Sequence, residues 1–308
     1  MARLPRQPHS SEACQQDMLG PLPTADRLRV RHDMSNGPAE PAATHVDDAK
    51  VDVRQLARRV EEASLNAWPA LQQLLIDGWL LRFAAGFTKR ANSVVTLPGL
   101  HVTAPDVLLR RVVNCEQRYR YQGLKPVFRL TDIDAPEALD DLLARRGYQI
   151  VEPTDVLTLP LRAQAAQTAE AASLAPGAFK LLDRDAWVNL YATLADMPPA
   201  SRPLHLALLK QILLPCDFYA WMDQDQPLAC LLTVREQPLV GLFDLVTHPD
   251  WRRQGLARAL LNRALRHAVT QGAELAWLQV VSDNQPAQAL YQGLGFEPLY
   301  RYWYRVPA

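Results

Sequence analysis

From Val53 onward the apolar positions recur with two periods. "VRQLARRVEEASLNAWPALQQLLI" carries them at helical spacing and predicts a helix broken near Pro69. "GWLLRFAAGFTKRANSVVTL" predicts two strands joined by a turn at Ala85-Gly86. A helix follows through "PDVLLRRVVNCEQRYRYQG", then strand "PVFRLT", helix "PEALDDLLARRG" and strand "YQIVEPTDVLTLPL". Beyond the apolar-poor segment "RAQAAQTAEAASLAPGA", which predicts a linker, the pattern resumes. Strand "FKLLD" leads to helices around "AWVNLYATLA" and "LHLALLKQIL". Strands "DFYAWMD", "PLACLLTVRE" and "LVGLFDLVT" come next. A long helix after Gly255, strand "ELAWLQVVS", helix "PAQALYQGLG" and strand "EPLYRYWYRV" complete the chain.

The two halves end alike. "YQGLKPVFRLTDIDAPEALDDLLARRGYQIVEP" and "TQGAELAWLQVVSDNQPAQALYQGLGFEPLY" each run helix end, Gln-Gly, strand, polar turn, helix, Gly-aromatic, strand. Gly147-Tyr148 corresponds to Gly295-Phe296, and Leu142 to Leu290 at the same offset. One glycine-capped helix end is commonplace. Agreement across successive elements in one order indicates a duplicated α/β unit. The copies differ ahead of their long helices. There the second half reads "THPDWRRQGLARALL" and the first "TLPGLHVTAPDVLLRR", which lacks an Arg-x-x-Gly-x-Ala.

Composition narrows the picture. A chain of 308 residues accommodates two domains of ordinary size. Lys+Arg and Asp+Glu are equal at 33 each, so no global charge directs it to nucleic acid or to an anionic membrane surface. No apolar run approaches the roughly 20 residues of a membrane span. Cys14, Cys115, Cys216 and Cys230 are far apart and predict neither a zinc site nor a disulfide framework, which suits a reducing, cytoplasmic compartment. Residues 1–50 are rich in Pro, polar and small residues and lack an apolar signal core, and the expectation there is a disordered tail, with Met34 as an alternative start.

The candidate chemistry lies in the turn before the long helix. A helix N-terminus leaves about four backbone N–H groups without intrahelical partners, and the macrodipole adds partial positive charge there. Gly255 removes the Cβ that would keep a phosphate from the backbone, and Ala257 keeps the next approach small. Arg252 and Arg253 add charge and Gln254 a neutral donor, a set that suits a pyrophosphate. The bland alternative is an ordinary helix start with solvated arginines.

Arg252-x-x-Gly255-x-Ala257, after a strand ending "VTHPDW", resembles the acetyl-CoA pyrophosphate loop of the GNAT superfamily of N-acetyltransferases. The resemblance continues in the next helix, where Asn284, Ala287, Tyr291, Gly295 and Phe296 fill the family's Asn-x-x-Ala-x-x-x-Tyr-x-x-x-Gly-Phe pattern. It covers roughly Phe179 to Val306, with a weaker echo in the first half. The resemblance implies an α/β fold, more closely an α+β mixed sheet. It implies tandem GNAT-like domains, each a mixed, mostly antiparallel sheet flanked by helices, with the N-terminal copy degenerate. The expected divisions are a tail over 1–50, the degenerate domain over 51–162, a linker over 163–177 and the catalytic domain over 178–308.

The same resemblance implies a function and a set of site residues. Backbone amides from Arg253 through Gln254, Gly255 and Leu256 to Ala257 would hold the CoA diphosphate. Arg252, Arg253 or Arg258 would reach its 3′-phosphate. Val246 and Thr247 would pair with the pantetheine arm, and Gln279 to Val281 would border a gap for the thioester. Asn284 and Ala287 would face the cofactor arm. Tyr291 would protonate the leaving thiolate, a phenol of pKa about 10 serving a thiol of about 8.5. The alternatives are Asn284 as a plain N-cap and Tyr291 as a packing residue. For the base the candidate is Asp244, the one acid on "LVGLFDLVTH", with His248 as the alternative. Strand alternation places Asp244 on the face opposite Phe243 unless a bulge intervenes.

The acceptor pocket is less legible. Arg90 and Asn92 in "GFTKRANS" are candidates at a domain junction, where ligand sites often lie, against a reading as solvated hairpin residues. Tyr300, Tyr302 and Tyr304 share one face of the last strand, usually a sign of core packing. The implied reaction moves acetyl from acetyl-CoA to the primary amine of a small molecule or peptide, without a metal, in a monomer or homodimer. A catalytically silent CoA-binding sensor or interaction module of the same fold is the alternative. The chain lacks the G-x-G-x-x-G pattern and the P-loop Lys-Ser/Thr of other nucleotide sites.

Overall fold

Eleven strands form one sheet, in the order β1-β2-β3-β4-β11-β5-β10-β9-β8-β7-β6. The structure, a computed structural model, describes residues 53–97, 104–133, 137–161 and 177–308. The tail expected over 1–50 and the linker expected over 163–177, Gly177 apart, lie outside them. The first half contains α1 (Val53–Ala67), β1 (Gln72–Ile76), β2 (Trp79–Phe83), β3 (Val94–Thr96), α2 (Pro105–Tyr121), β4 (Phe128–Thr131), α3 (Glu137–Arg145) and β5 (Tyr148–Pro160). The second contains β6 (Ala178–Leu182), α4 (Arg184–Leu194), α5 (Arg202–Lys210), β7 (Cys216–Asp223), β8 (Gln226–Glu236) and β9 (Leu239–Thr247). It ends with α6 (Leu256–Thr270), β10 (Leu275–Val281), α7 (Gln285–Gln292) and β11 (Glu297–Pro307).

The duplication is visible in the pairing. Among the described strands only β3 with β4 and β9 with β10 are parallel, and each pair is joined by its long helix, α2 or α6. All other described neighbours are antiparallel, so the sheet is mixed and mostly antiparallel, with helices flanking it. Gly147 and Gly295, the matched helix ends, both take left-handed φ, 84° and 88°. Their partners Tyr148 and Phe296 are both buried.

The final strands are exchanged. β11, from the second half, pairs with β4 of the first, and β5, from the first half, pairs with β10 of the second. β5 and β11 pair with each other, so the two halves share one sheet and one compact unit.

Alternation along the strands sends side chains to separate cores. α6 and α7 cover one cluster, with Leu242, Leu278 and Phe296. α2 and α3 cover another, around Phe128, Leu130 and Tyr148. The third lies under α1, α4 and α5 and joins Trp68 of the first half to Trp187, Phe243, Trp277 and the Tyr300/Tyr302/Tyr304 stripe of the second. Gly241 makes that last packing fit, since a Cβ there would stand 2.6 Å from the Trp277 indole and 2.7 Å from the Phe243 ring.

One element differs from its expected type. Gln72–Ile76 is a strand, β1, where the spacing predicts helix. Asp77 and Gly78, both at positive φ, close a two-residue hairpin that pairs Ile76 with Trp79. Asp-Gly between apolar runs is the local signal for that hairpin.

Candidate active site

The decisive irregularity is in β9. Cys230 pairs with Val246 and Leu232 with Phe243, so Asp244 and Leu245 together oppose Leu231, and Asp244 takes φ 52°. This is a β-bulge. Phe243 and Val246 pack into the α1/α4/α5 core while Leu245 packs under α6 and α7. The extra residue puts Asp244 on the same side as Phe243, the side that unbroken alternation denies it.

On that side it meets His205, a residue of α5 to which the sequence analysis gave no role. Nε2 of the buried His205 lies 3.0 Å from Oδ2 of Asp244. As a carboxylate Asp244 only accepts, which puts the imidazole proton on Nε2. Nδ1 is buried without a partner. Trp68, Phe87, Trp187 and Tyr191 surround the ring, with centroids 4.9 to 6.3 Å away. The only sequence signal was a titratable residue inside the apolar run "PLHLALL".

Next to the bulge the sheet opens. The parallel pairing of β9 with β10 stops at Leu242 and Leu278, although both strands continue. Beyond that point β9 pairs only with β8, through Val246 and Thr247, and β10 pairs with β5, through Gln279 to Val281. Val246, Thr247 and Gln279 therefore stand on the two rims of a gap.

At its mouth is the arginine–glycine turn. His248 accepts from the Asp250 amide through Nδ1 (3.3 Å) and starts a short 3₁₀ turn over Pro249–Trp251, so this histidine is a turn residue. Arg253 and Gly255 both have left-handed φ, 61° and 83°. Gly255 is the N-cap of α6 and provides no side-chain cap, and no acid occupies the first helical turn. The first amides of α6, from Leu256 to Arg258, therefore have neither a side-chain cap nor an intrahelical acceptor. A Cβ at Gly255 would meet nothing within 4 Å. Leu256 anchors the turn by burying its side chain. Arg252 and Gln254 bond the loop's own carbonyls, Thr247 O (3.3 Å) and Asp250 O (3.2 Å), and Arg258 donates to Gly293 O (2.9 Å) at the end of α7.

α7 forms the other side of the mouth. Asn284 is its N-cap, with Oδ1 accepting from the Ala287 amide at 3.2 Å. Tyr291 is half-buried, edge-on to Phe296, and burial pushes its phenol up to about 12. The turn before α7 is fixed from the first half of the chain. Asp155 of β5 accepts from Ser282 Oγ and Gln288 Nε2, both at 2.9 Å, and from Arg301 Nε at 2.7 Å.

Two residues from the first half bear on the site differently. Asn92 is committed to its own loop: Oδ1 accepts from the Ala84 and Gly86 amides, and Nδ2 donates to Thr88 O. Arg90 reaches the bulge. Its guanidinium lies over the rings of Trp68 (5.4 Å) and Phe243 (5.9 Å).

With this geometry in hand, known families give a consistent answer. Residues 187–296 match the acetyltransferase (GNAT) family, and residues 55–202 match "Probable histone acetyltransferase Rv0428c C-terminal". The chain is 28% identical over 250 residues to "Uncharacterized N-acetyltransferase YobR" of Bacillus subtilis, covering 81% of this chain and 98% of that one. Over residues 187–296 the chain carries an acetyltransferase (GNAT) family domain. Its class is that of an N-acyltransferase. A shorter stretch of 55 residues is 44% identical to the [ribosomal protein bS18]-alanine N-acetyltransferase of Escherichia coli, over 18% of this chain and 37% of that one. In fold it is similar to a GCN5-related N-acetyltransferase from Kribbella flavida, with TM-score 0.60, 15% identity, and 84% and 96% of the two chains covered. It is also similar to a tandem GNAT protein from the clavulanic acid biosynthesis pathway, with TM-score 0.54, 15% identity, and 74% and 77% covered.

The coenzyme this GNAT fold implies suits the residues present. An uncapped helix start, two left-handed residues and the open space at Gly255 make a concave set of donors for a diphosphate. Among the described residues no His/Cys/Asp/Glu group could hold a metal ion, and no helix is long and apolar enough to cross a membrane.

Proposed function

We propose that this chain is a cytoplasmic N-acetyltransferase that uses acetyl-CoA and acetylates a primary amine of a small molecule or peptide by direct attack in a ternary complex. The observation that carries the reading is the end of β9–β10 pairing at Leu242 and Leu278, directly before the uncapped start of α6. In this reading the amides from Arg253 to Ala257 hold the diphosphate, and Arg252, Arg253 or Arg258 reaches the 3′-phosphate. Val246 and Thr247 offer their free backbone edge to the pantetheine arm. The coenzyme supplies an activated acetyl thioester.

The chain's own residues supply orientation and proton handling. Binding both substrates in one gap replaces a bimolecular encounter by a positioned one. Asp244 is the base and takes the proton from the amine nitrogen, whose acidity rises as it forms its new bond. His205 donates to Asp244 and fixes the direction of its free oxygen. Tyr291 still carries its Oη proton at neutral pH and gives it to the departing sulfur. Asn284 fixes the start of α7 and so the direction of Tyr291. The first half (51–162) has no pyrophosphate turn of its own. It supports the catalytic half (178–308) through β5, Asp155 and the loop that carries Arg90 and Asn92.

A melting curve with and without acetyl-CoA, together with thiol release against a panel of amines, tests this. Acetyl-CoA is expected to raise the melting temperature, Gly255→Glu to abolish that rise, and Tyr291→Phe to slow turnover while leaving the rise in place. Protection without thiol release from any amine would instead identify a silent coenzyme-binding module.

A further inference from the structure

We infer that the acceptor amine also carries a carboxylate, as an amino acid does, and that Arg90 and Gln279 receive that carboxylate across the gap from Asp244. The inference rests on the acetyltransfer reading above and deepens it.

Charge at the junction of the two halves is out of balance. Three guanidiniums, of Arg82, Arg90 and Arg129, stand with two carboxylates, Glu61 and Asp244. Two of the three cations donate side-chain hydrogen bonds within the protein, although each leaves its Nε buried without a partner among the described residues. Arg129 holds Glu61 through both Nη1 and Nη2, and Tyr300 donates to the same carboxylate at 2.6 Å. Arg82 donates to the carbonyls of Leu65, Trp68 and Arg90. Arg90 has no carboxylate at ion-pair distance among the described residues, and its Nε is buried without a partner.

The unmatched cation connects to the far rim. Arg90 stands near the Tyr302 hydroxyl, and Tyr302 donates to Gln279 Oε1 at 3.2 Å. That bond orients the Gln279 amide and leaves Nε2 buried without a partner among the described residues. Gln279 is the first β10 residue past the end of the parallel pairing. Phe243, under the Arg90 guanidinium, is the first of β9. Arg90 Nε and Gln279 Nε2 are thus donors without a partner among the described residues, while Asp244, oriented by His205, is an acceptor. Buried donors without acceptors are costly in a fold. A ligand with an anionic acceptor group satisfies both, and a carboxylate matches the planar guanidinium. An amine near an acid and a carboxylate near an arginine describe one molecule, an amino acid or a short peptide with both groups.

The test is thiol release with each standard L-amino acid, its amide and its decarboxylated amine, in wild type, Arg90→Gln and Arg90→Lys, with acetyl-CoA protection measured in parallel. Dipeptides with free termini, assayed alongside, separate free amino acids from peptides. In wild type, kcat/KM is expected to favour at least one carboxylate-bearing amine over its decarboxylated form by about 30-fold. That ratio should fall at least tenfold in Arg90→Gln, mostly through KM, and be largely retained in Arg90→Lys. A wild-type ratio near one, or a ratio unaltered by Arg90→Gln, overturns the carboxylate inference and leaves acetyltransfer standing. Protection by acetyl-CoA with release only from amines lacking a carboxylate does the same. No protection and no release with any amine overturns both. If Arg90→Gln melts before assay temperature, Gln279→Leu takes its place with the same expectation.

Discussion

His205 Nε2 lies 3.0 Å from Asp244 Oδ2, joining a helix of the second half to the bulged residue of β9. The pair is shielded from water on the imidazole side, with the His205 side chain 1% exposed, and more open at the carboxylate, 15% exposed. The base role proposed for Asp244 requires this asymmetry, with one oxygen held by His205 and the carboxylate still partly exposed.

Asp244→Asn should therefore lower kcat/KM by about 100-fold. His205→Gln should cost less, and the double variant should be little worse than Asp244→Asn alone, because both changes remove one unit. Steady-state kinetics on variants with native circular dichroism measures this. Full activity in Asp244→Asn would remove it from the mechanism.

Gly255→Ala separates strain from binding. The added methyl meets nothing within 4 Å, but φ 83° disfavours any side chain, so stability should fall by about 1 kcal/mol. The methyl would occupy the space assigned to the diphosphate, so the acetyl-CoA melting shift should shrink far more than the apo melting point. Melts at increasing coenzyme concentration distinguish the two effects.

Glu61→Ala should destabilise the whole chain by roughly 3–5 kcal/mol, as loss of one partner from a buried ion pair does. Burial works against the Glu61 charge, but Arg129 and the Tyr300 hydroxyl outweigh it and hold the carboxyl below its ordinary range. The variant leaves Arg129 buried and unpaired beneath β11, the strand that joins the halves. Urea unfolding should show a single transition at lower midpoint. A midpoint close to wild type would mean that the pair is dispensable.

Stability should fall steeply above about pH 10. Burial raises Tyr219 and Tyr291 to about 12, and Tyr119, Tyr148 and Tyr191 are raised as well, burial again being the main cause. A folded value above the unfolded one, about 10, gives stability that is complete below pH 10 and lost as pH rises through the folded value. Each such tyrosine removes about 1.4 kcal/mol per pH unit in that window. Thermal melts from about pH 8 to pH 11, followed by tyrosinate absorbance, read the loss. Tyr291, by the same shift, should not limit turnover until well above pH 10.

The sequence by itself determined most of the local structure. Periodicity placed the long helices and nearly all strands, because amphipathic faces repeat at 3.6 or 2 residues whatever lies beyond them. The glycine–arginine turn was equally legible, since an uncapped, Cβ-free helix start is a local property of Arg252 to Ala257. β1 departs from the helical spacing of its leucines because the Asp77-Gly78 turn folds it into a hairpin, and as an edge strand it shows four exposed positions out of five. Tertiary structure decided the rest. Whether Asp244 faces the gap depends on one extra residue in β9 opposite Leu231, and pairing with β8 sets that register. His205, Asp155 and Arg90 reach the site from separate elements, two of them in the other half of the chain. The two from the first half do so because β5 and β11 exchange neighbours, and strand exchange is fixed by backbone hydrogen bonds between distant segments, which no local pattern encodes.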